Sequence, residues 1–343
     1  MLDLTALAFA GALLVALLVD RYFGEPPTRL HPVVWMGNYL DWAARRVHPV
    51  LSPAVRDLKA FTLGALAWLA GVALVGGVAA ALQCALLQLP AWLSALLLGL
   101  ALKPMLAWAM LGREVQAVED ALGESLAAGR ERLSWLVSRD TTSLSESEVR
   151  ESAIESLAEN LNDSVVAPIF WFVLFGLPGA AIYRFANTAD AMWGYRGTRN
   201  GVCWEWAGKW AAWADDVLSW LPARLTALLL AMVAPGVRLA SLRFEARKTP
   251  SPNSGWPMAA MALALGVCLH KPGVYALNPS GAPPRPASTS AALKYASKVV
   301  KAAVLCALIA IILIAFMGDT NIANIANIAN IANIANIFSA LTL

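Results

Sequence analysis

Charged residues are scarce in this chain. Asp, Glu, Lys and Arg make up 14% of its 343 residues and hydrophobic residues 59%, whereas about a quarter of an average soluble domain is charged. The net charge of +3 is small and spread over several loops, so no nucleic-acid partner is expected. This composition argues against an ordinary soluble domain and predicts an all-α, polytopic integral membrane protein in contact with lipid.

Motifs for several familiar kinds of site are missing. The four cysteines are scattered without metal-ligand or redox spacing, so they are expected to be small buried hydrophobes. No G-x-x-x-x-G-K-[ST] loop occurs, so a nucleotide would have to be held in another way. The N-terminal apolar segment has Asp3 in place of a basic start, which favours a retained membrane helix over a cleaved signal peptide.

Long apolar runs are abundant instead. A helix that crosses about 30 Å of hydrocarbon needs about 20 apolar residues. The windows that predict membrane spans are residues 4–19, 61–82, 92–111 and 299–317. Windows 221–233 and 258–269 are shorter and predict tilted spans, interfacial helices or buried core helices. The run 165–182 contains prolines and glycines that predict a broken or re-entrant helix as readily as a simple span. In all, four to seven membrane-embedded helices are expected.

The charged loops indicate an orientation. Loops 20–59 and 103–150 are basic and lie two spans apart, which places both on the cytoplasmic side. Loops 184–209 and 238–248 are basic as well. A re-entrant hairpin at 165–182 would keep all these loops on one side, and this arrangement is favoured.

A ladder of acidic residues is the most informative local pattern. Glu151, Glu155, Glu159 and Asp163 follow one another at i, i+4 spacing, so they share a helix face and repel each other. The ladder runs directly into an apolar segment, where unpaired charge is costly. A solvated helix face is the simpler alternative. The position favours compensation by a cation, and Mg²⁺ shared with substrate phosphates is the usual solution.

Polar residues form four clusters that are best considered together. They lie at residues 20–37, at 138–163, at 183–224 and at 251–257. Arginine recognises phosphate and carboxylate groups in bidentate fashion. The clusters supply Arg139, Arg184, Arg196 and Arg224. Arginines beside paired carboxylates indicate a site for a metal–phosphate substrate.

The order and spacing of six motifs resemble the CobD/CbiB family, the adenosylcobinamide-phosphate synthases. The motifs are D-x-x-x-G-E-P with HPV and Gly at 20–37, SRDT at 138, ES-x-AEN-x-x-D-x-x-VAP-x-FW at 155–171, NT-x-DAM-x-GYR at 187–196, DD-x-x-x-x-x-PARLTA at 215 and SPN-x-GWPMAA at 251. The resemblance covers roughly residues 10–275.

The resemblance implies an enzyme of cobalamin (vitamin B12) biosynthesis. With ATP and Mg²⁺ it would join adenosylcobyric acid to an aminopropanol phosphate, or to ethanolamine phosphate, through an amide bond. Activation of the carboxylate as an acyl phosphate is the simplest route. The resemblance also implies a bacterial inner-membrane protein whose active site faces the cytoplasm, in contact with other late enzymes of the pathway.

The candidate site residues follow from these motifs. Those predicted to be catalytic are Glu155, Glu159, Asp163, Asp190, Asp215 and Asp216. The first three are also the predicted metal ligands. Those predicted to bind substrate are Asp20, His31, Arg139, Asp140, Asn160, Arg184, Asn187, Tyr195, Arg196, Arg224, Ser251 and Asn253. The asparagines Asn160, Asn187 and Asn253 are the candidates for corrin amides or ribose hydroxyls.

Two departures from the family pattern concern catalytic competence. Trp213 stands where the family often has an arginine, and Ser219 stands where an asparagine is usual. Loss of a charge-assisted hydrogen bond to a phosphate would cost about 1.5–3 kcal/mol. Lys209 or Arg224 is the candidate replacement.

Other classes of function fit some of the same residues. A transporter, or a non-catalytic membrane scaffold that binds an anionic ligand of the corrinoid pathway, would also place acids and arginines at the membrane. An internal repeat would favour a transporter, and none is found.

The C-terminal segment is set apart from this single synthase domain, residues 1–320. Residues 321–337 are five Asn-Ile-Ala triplets followed by Asn-Ile, and this period of three keeps no helix or strand face apolar. The interpretation is a low-complexity tail at 321–343 without a function, with a short helix on the membrane as the alternative.

Overall fold

A computed structural model describes residues 4–47, 56–199 and 202–317. Helices dominate, and the expected all-α class is confirmed. The helices are α1 Leu4–Phe23, α2 Pro32–Val47, α3 Leu58–Leu86, α4 Ala91–Leu102, α5 Trp108–Glu124, α6 Leu126–Leu133, α7 Glu146–Leu161, α8 Ala167–Trp193, α9 Lys209–Val233, α10 Leu239–Ala246, α11 Gly255–Leu265 and α12 Pro286–Met317. Two antiparallel hairpins pair β1 Thr198–Arg199 with β2 Val202–Cys203, and β3 Leu269–Lys271 with β4 Tyr275–Leu277.

Six helical segments in the described part of the chain are long and apolar enough to cross a membrane. They are Leu4–Phe23, Leu58–Leu86, Ala91–Glu124, Glu146–Trp193, Lys209–Val233 and Pro286–Met317. All four windows expected from the sequence lie within these segments. The chain is therefore a multi-pass membrane protein.

Small residues bring α1 and α4 close together. A Cβ atom at Gly11 would lie 2.8 Å from the Cβ of Ala95, and one at Gly99 would lie 2.6 Å from Val15. Membrane helices commonly associate through such close backbone approach, because the hydrophobic effect does not drive helices together in lipid. Gly11 lies against Ala95, and Val15, one turn later, lies against Gly99. The helices α1 and α4 therefore run parallel, and their polar ends meet on one side.

The segment 163–193 folds back on itself. The Tyr183 hydroxyl lies 3.5 Å from Asp163 Oδ1, and Asn187 donates to Asp163 Oδ2 at 3.3 Å, although these residues are 20 and 24 positions apart. A straight helix would separate them by about 30 Å or more. The arm from Asp163 to Gly176 rises only about 20 Å, less than the ~30 Å hydrocarbon thickness. The hairpin therefore returns to the side from which it starts, as the re-entrant interpretation predicted.

Gly176 makes this reversal. Its φ of +66° and ψ of −153° are open to glycine and strained for other residues, and a Cβ there would overlap the side chain of Gln83. Gln83 Oε1 from α3 accepts the Leu177 N–H at 2.7 Å, so a backbone donor that the break would orphan is satisfied. Gly179 lets the two arms touch, because a Cβ there would overlap the Trp171 carbonyl.

Two prolines free carbonyls that other segments use. Pro168 follows a π-helical turn, Asn162–Val166, and cannot donate to the Ser164 carbonyl, which accepts the Ala107 N–H at 3.0 Å instead. Pro222 leaves the Leu218 carbonyl free in the same way, and Trp171 Nε1 donates to it at 3.1 Å. These bonds dock the hairpin against the start of α5 and against α9.

Helix α11 shows which of the three predicted structures the apolar window 258–269 adopts. It covers 11 residues, a rise of about 16 Å, and residues 257–262 are all buried. The window 258–269 is therefore a buried core helix that continues into β3, not a span. The Asn-Ile-Ala tail lies outside the described residues, so its interpretation stays a prediction.

Candidate active site

The acidic ladder begins on α7. A capping box of Ser145 and Glu148 stabilises the N-terminus of this helix. Glu151 accepts two hydrogen bonds from His270 on β3, one from the backbone N–H at 3.0 Å and one that involves ring Nδ1 at 2.7 Å. Glu155 is 3% exposed and pairs with Arg139, whose Nη2 lies 2.5 Å from Oε2. Two carboxylates of the ladder, Glu151 and Glu155, are thus compensated by protein groups.

Asp163 lies in the π-helical turn that follows α7, at the mouth of the helical hairpin. Asn162 donates to its Oδ1 at 2.7 Å, and Asn187 donates to its Oδ2 at 3.3 Å. Asn162 is itself held by the hydroxyl of Thr226, which donates to Oδ1 at 3.0 Å. The turn shifts Asp163 from the regular helical position, but Asp163 remains within electrostatic range of Glu159.

A second group of carboxylates lies next to Asp163. Asn187 Nδ2 is 3.5 Å from Asp215 Oδ1, so one amide joins the hairpin to α9. Asp190 interacts electrostatically with both Asp163 and Asp216. Asp163, Asp190, Asp215 and Asp216 are half-buried, so ligands have access to them. Together these four carboxylates form the acidic floor of the site.

Cationic side chains surround this floor. Arg184 donates from Nη1 to Ser164 Oγ at 3.1 Å, interacts with the charge of Asp163, and has a buried Nε without a hydrogen-bond partner in the described part of the chain. Arg196 is exposed and interacts with Asp216, and Lys271 at the end of β3 is exposed and interacts with Glu159. A group with both phosphate oxygens and an attached metal ion would find complementary charges here.

Arg224, Ser251 and Asn253 form a latch. Arg224 stacks near Trp220 and Trp256 and donates to Asn253 Oδ1 at 2.9 Å, while Asn253 donates to the Asp216 carbonyl at 2.7 Å. Ser251 Oγ accepts the Asn253 N–H at 3.2 Å. These contacts hold the loop after α10 against α9 at the Asp216 backbone carbonyl, and a direct role in binding substrate stays a prediction.

Asp20 and His31 belong to a separate ion-pair cluster around Lys103. Lys103 is 2% exposed, and its Nζ lies 3.2 Å from Asp20 Oδ1 and 2.6 Å from Glu25 Oε1. Asp20 Oδ2 also accepts the Ala109 N–H at 2.7 Å, and His31 Nε2 lies 3.2 Å from Glu25 Oε2. Glu25 interacts in turn with Arg184, so the cluster borders the acidic floor. Its contacts tie α1 to the α4–α5 junction, and a role of Asp20 and His31 in binding substrate stays a prediction.

The remaining candidates lie around the rim. Asp140 is exposed, and the Thr142 N–H and hydroxyl donate to its Oδ1 at 2.9 and 2.7 Å, which lowers the pKa of this carboxyl. Asn160 is half-buried and donates to the Ser156 carbonyl at 3.0 Å. Tyr195 is half-buried in the turn between α8 and β1.

Both departures from the family pattern have a structural explanation. Trp213 is half exposed, and its ring packs edge-on against Phe61 with 5.9 Å between the ring centres. Side chains two residues apart in a helix point to nearly opposite sides, so Trp213 points away from Asp215. Ser219 is buried, and its hydroxyl lies 3.1 Å from the Tyr183 hydroxyl. In the described part of the chain, neither side chain hydrogen-bonds to a carboxylate of the acidic floor.

Sequence reasoning missed several residues that shape the site. Lys103 carried a signal, a lysine at the end of an apolar run, whereas His270, Lys271 and Tyr275 had none because they are more than 100 positions from α7. Burial raises the pKa of Tyr275, and the nearby charge of Glu155 adds to this, so the phenol remains a neutral hydrogen-bond donor.

The donor chemistry suits Mg²⁺ and phosphate. Among the described residues, no three His, Cys, Asp or Glu side chains are already arranged to hold a metal. Mg²⁺ usually takes one or two carboxylates together with substrate phosphates and water, so a preformed cage is not required. Glu159 and Asp163 form no salt bridge in the described part of the chain, whereas Glu155 is paired with Arg139. The metal role predicted for Glu155 stays a prediction.

Comparisons with known proteins agree on one family. A family model described as CobD/Cbib protein matches residues 13–306. The probable cobalamin biosynthesis protein CobD of Methanothermobacter thermautotrophicus is 43% identical over 280 residues, which cover 78% of this chain and 86% of that protein. The cobalamin biosynthesis protein CobD of Chromobacterium violaceum is 42% identical over 260 residues, 74% of this chain and 79% of that protein. No solved structure matches.

Proposed function

Because this chain belongs to the CobD/CbiB family of cobalamin biosynthesis proteins, we propose that it is an adenosylcobinamide-phosphate synthase. The reaction would be ATP- and Mg²⁺-dependent formation of an amide between adenosylcobyric acid and (R)-1-aminopropan-2-ol O-phosphate, or ethanolamine phosphate. The protein would then be an acid–amine ligase.

The observation that carries this proposal is the combination of charges at the mouth of the hairpin. Asp163, Asp190 and Asp215 share one region with Arg184, whose buried Nε lacks a partner among the described residues. An acidic floor alone suits a cation or an amine, and an arginine beside it suits a phosphate. The amino-alcohol phosphate carries an amine and a phosphate, and ATP brings further phosphates with its Mg²⁺.

The chemistry divides into two displacements. In the first, a carboxylate oxygen of the corrinoid attacks the γ-phosphorus of ATP, ADP leaves, and an acyl phosphate forms. In the second, the amine nitrogen attacks the acyl carbon, phosphate leaves, and the amine gives up a proton. Arg184, Arg139 and Lys271 would stabilise the phosphoryl oxygens. Asp190 or Asp215 would accept the proton from the amine.

Mg²⁺, when bound, would neutralise phosphate charge and align the oxygens of the first step. Glu159 and Asp163 would hold it, with the phosphates as its other ligands. Asn162 and Asn187 fix the orientation of the Asp163 carboxylate through their amide groups. The latch of Arg224 and Asn253 would hold the loop after α10 against α9, next to Asp216.

We also infer that the site faces the cytoplasm of a bacterial inner membrane, where ATP is available. The basic loops support this orientation. Contact with other late enzymes of the pathway would shorten the transfer of the corrinoid, and this remains an expectation from the family.

Amide formation by the purified protein tests the proposal. Detergent-solubilised protein should convert adenosylcobyric acid and aminopropanol phosphate to the amide, and omission of either ATP or Mg²⁺ should stop the reaction. A strain that lacks the synthase should also regain growth on cobyric acid. Binding of the corrinoid without turnover under all these conditions would contradict the proposal and favour the scaffold or transporter alternative.

A further inference from the structure

An open groove runs between α2 and α3 and includes none of the candidate site residues. Its volume is about 490 Å³. It is lined by Tyr39, Trp42, Ala43, Arg46, Val47, Leu63, Leu66, Ala67, Ala70 and Leu74. Every lining residue except Arg46 is apolar or aromatic, and the groove lies on a helix that is long and apolar enough to cross the membrane.

The groove has a defined depth and direction. The Tyr39 hydroxyl donates to the Ala67 carbonyl at 2.7 Å, and Val47 packs with Ala60, so α2 and α3 run antiparallel. Arg46 therefore lies at the start of α3, and the groove continues to Leu74. From Leu63 to Leu74 the helix rises about 16 Å, which is roughly half of the ~30 Å hydrocarbon core, the depth of one leaflet.

The polar end of the groove is basic and has an aromatic wall. The Arg46 guanidinium lies 3.8 Å from the centre of the Trp42 ring, and its Nη1 donates to the Trp42 carbonyl at 3.1 Å. No other hydrogen bond engages this guanidinium in the described part of the chain, so most of its N–H groups remain available to a ligand. Arg45, Arg56 and Lys59 are exposed at the same end. Half-exposed Trp42 suits the headgroup level, where membrane tryptophans concentrate.

We propose that this groove binds one glycerophospholipid with an anionic headgroup. The lipid phosphate lies against Arg46, and one acyl chain lies along α3 between Leu63 and Leu74. The surrounding basic residues favour an anionic lipid over a zwitterionic one, because a choline or ethanolamine group would bring a positive charge beside them. The proposal does not depend on the enzymatic activity.

Native mass spectrometry of the purified full-length protein tests this site. The probes are phosphatidylglycerol and phosphatidylcholine with the same acyl chains, added at increasing concentrations. Phosphatidylglycerol should bind about ten-fold more tightly than phosphatidylcholine, and Arg46→Gln should weaken the binding of phosphatidylglycerol about ten-fold, since it deletes a charge-assisted contact to the lipid phosphate. Arg243→Gln, at an exposed arginine on α10, is the matched control and should keep the preference.

A second pair of variants tests the acyl-chain part of the groove. Ala70→Trp places a ring in the groove and should reduce binding of both lipids, whereas Leu69→Trp alters an exposed neighbour outside the lining and should not. Water-soluble glycerophosphoglycerol should not displace the lipid. Equal affinity for the two lipids, equal behaviour of Arg46→Gln and Arg243→Gln, or displacement by the soluble headgroup would overturn the proposal.

Discussion

Glu155 and Asp163 belong to one run of acidic residues but have different surroundings. Glu155 faces Arg139 and is buried, whereas Asp163 is held by the amides of Asn162 and Asn187 and is open to the site. Arg184 interacts with the charge of Asp163 but forms no salt bridge with it in the described part of the chain, so this charge is less fully compensated than that of Glu155. Glu155 is therefore already paired with a cationic side chain of the protein, whereas Asp163 can attract a metal cation.

Neutral isosteres in the ladder should remove activity. Glu159→Gln and Asp163→Asn keep shape but delete the charge a cation needs, so we expect turnover to fall by about 10² to 10³, as when a single stabilising electrostatic group is lost. Glu155→Gln should also abolish condensation. Initial rates of amide formation by purified variants are the measurement. Asp120→Asn, at an exposed residue of α5, is the control, and full activity in all three ladder variants would refute the assignment.

The Arg139–Glu155 pair predicts a coupling that a simple loss of charge would not produce. Removing one partner of a fully buried pair costs about 3–5 kcal/mol, and the cost should be smaller here because Arg139 is one-fifth exposed. Arg139→Gln should therefore lower the thermal midpoint of the solubilised protein, and the double variant with Glu155→Gln should recover part of it. Additive losses in the double variant would show that the two side chains do not act as a pair.

At the scale of elements, the helical hairpin was only partly predictable. Proline and glycine at 168 and 176–179 indicated a break, and the Gly176 reversal follows from them. The bond from Leu177 to Gln83 was not predictable, because α3 and the hairpin are 94 positions apart. The π-helical turn at 162–166 was also missed, since it depends on tertiary contacts such as the Asn162–Thr226 bond.

The hairpin should depend on Gly176 in α8 and not on Gly77 in α3. Gly176→Ala puts a Cβ into the Gln83 side chain at a φ of +66°, so we expect low expression and a lower thermal midpoint. Gln83→Leu leaves the Leu177 N–H unsatisfied and should cost about 1–3 kcal/mol. Gly77→Ala, where a Cβ would meet nothing within 4 Å, is the control and should be tolerated. Normal stability of Gly176→Ala would mean that the reversal lies elsewhere.

At the scale of the whole molecule, the repeat tail is expected to be separate from the catalytic body. Its period matches no buried face, and it lies beyond the residues matched by the family model, 13–306. Ending the chain after Thr320 should leave expression and amide synthesis unchanged. Expression yield and initial rate of the truncated protein are the measurements, and a large fall in either would show that the tail packs against the body.

A chain of contacts joins the polar loops at one end of the molecule. Asp20 pairs with Lys103, the Ala107 N–H bonds to the Ser164 carbonyl, and Arg184 bonds to Ser164 Oγ. The same chain continues through Asn187 to α9 and through Asn253 to the loop after α10. Because the hairpin returns to the side from which it starts, this arrangement needs no polar loop on the opposite face.

Accessibility of single cysteines tests this shared side directly. Cysteines placed at Ser143, Thr198 and Ser254, in a background without Cys84, Cys203, Cys268 and Cys306, report on three of these loops. In intact cells a membrane-impermeant thiol reagent should label none of the three, and in inverted vesicles it should label all of them, since the proposed orientation puts these loops on the cytoplasmic side. Labelling of Thr198 from outside, with Ser143 protected, would place the third polar cluster on the other face. The carboxylates of α9 and the hairpin could then not form one site with the acidic ladder.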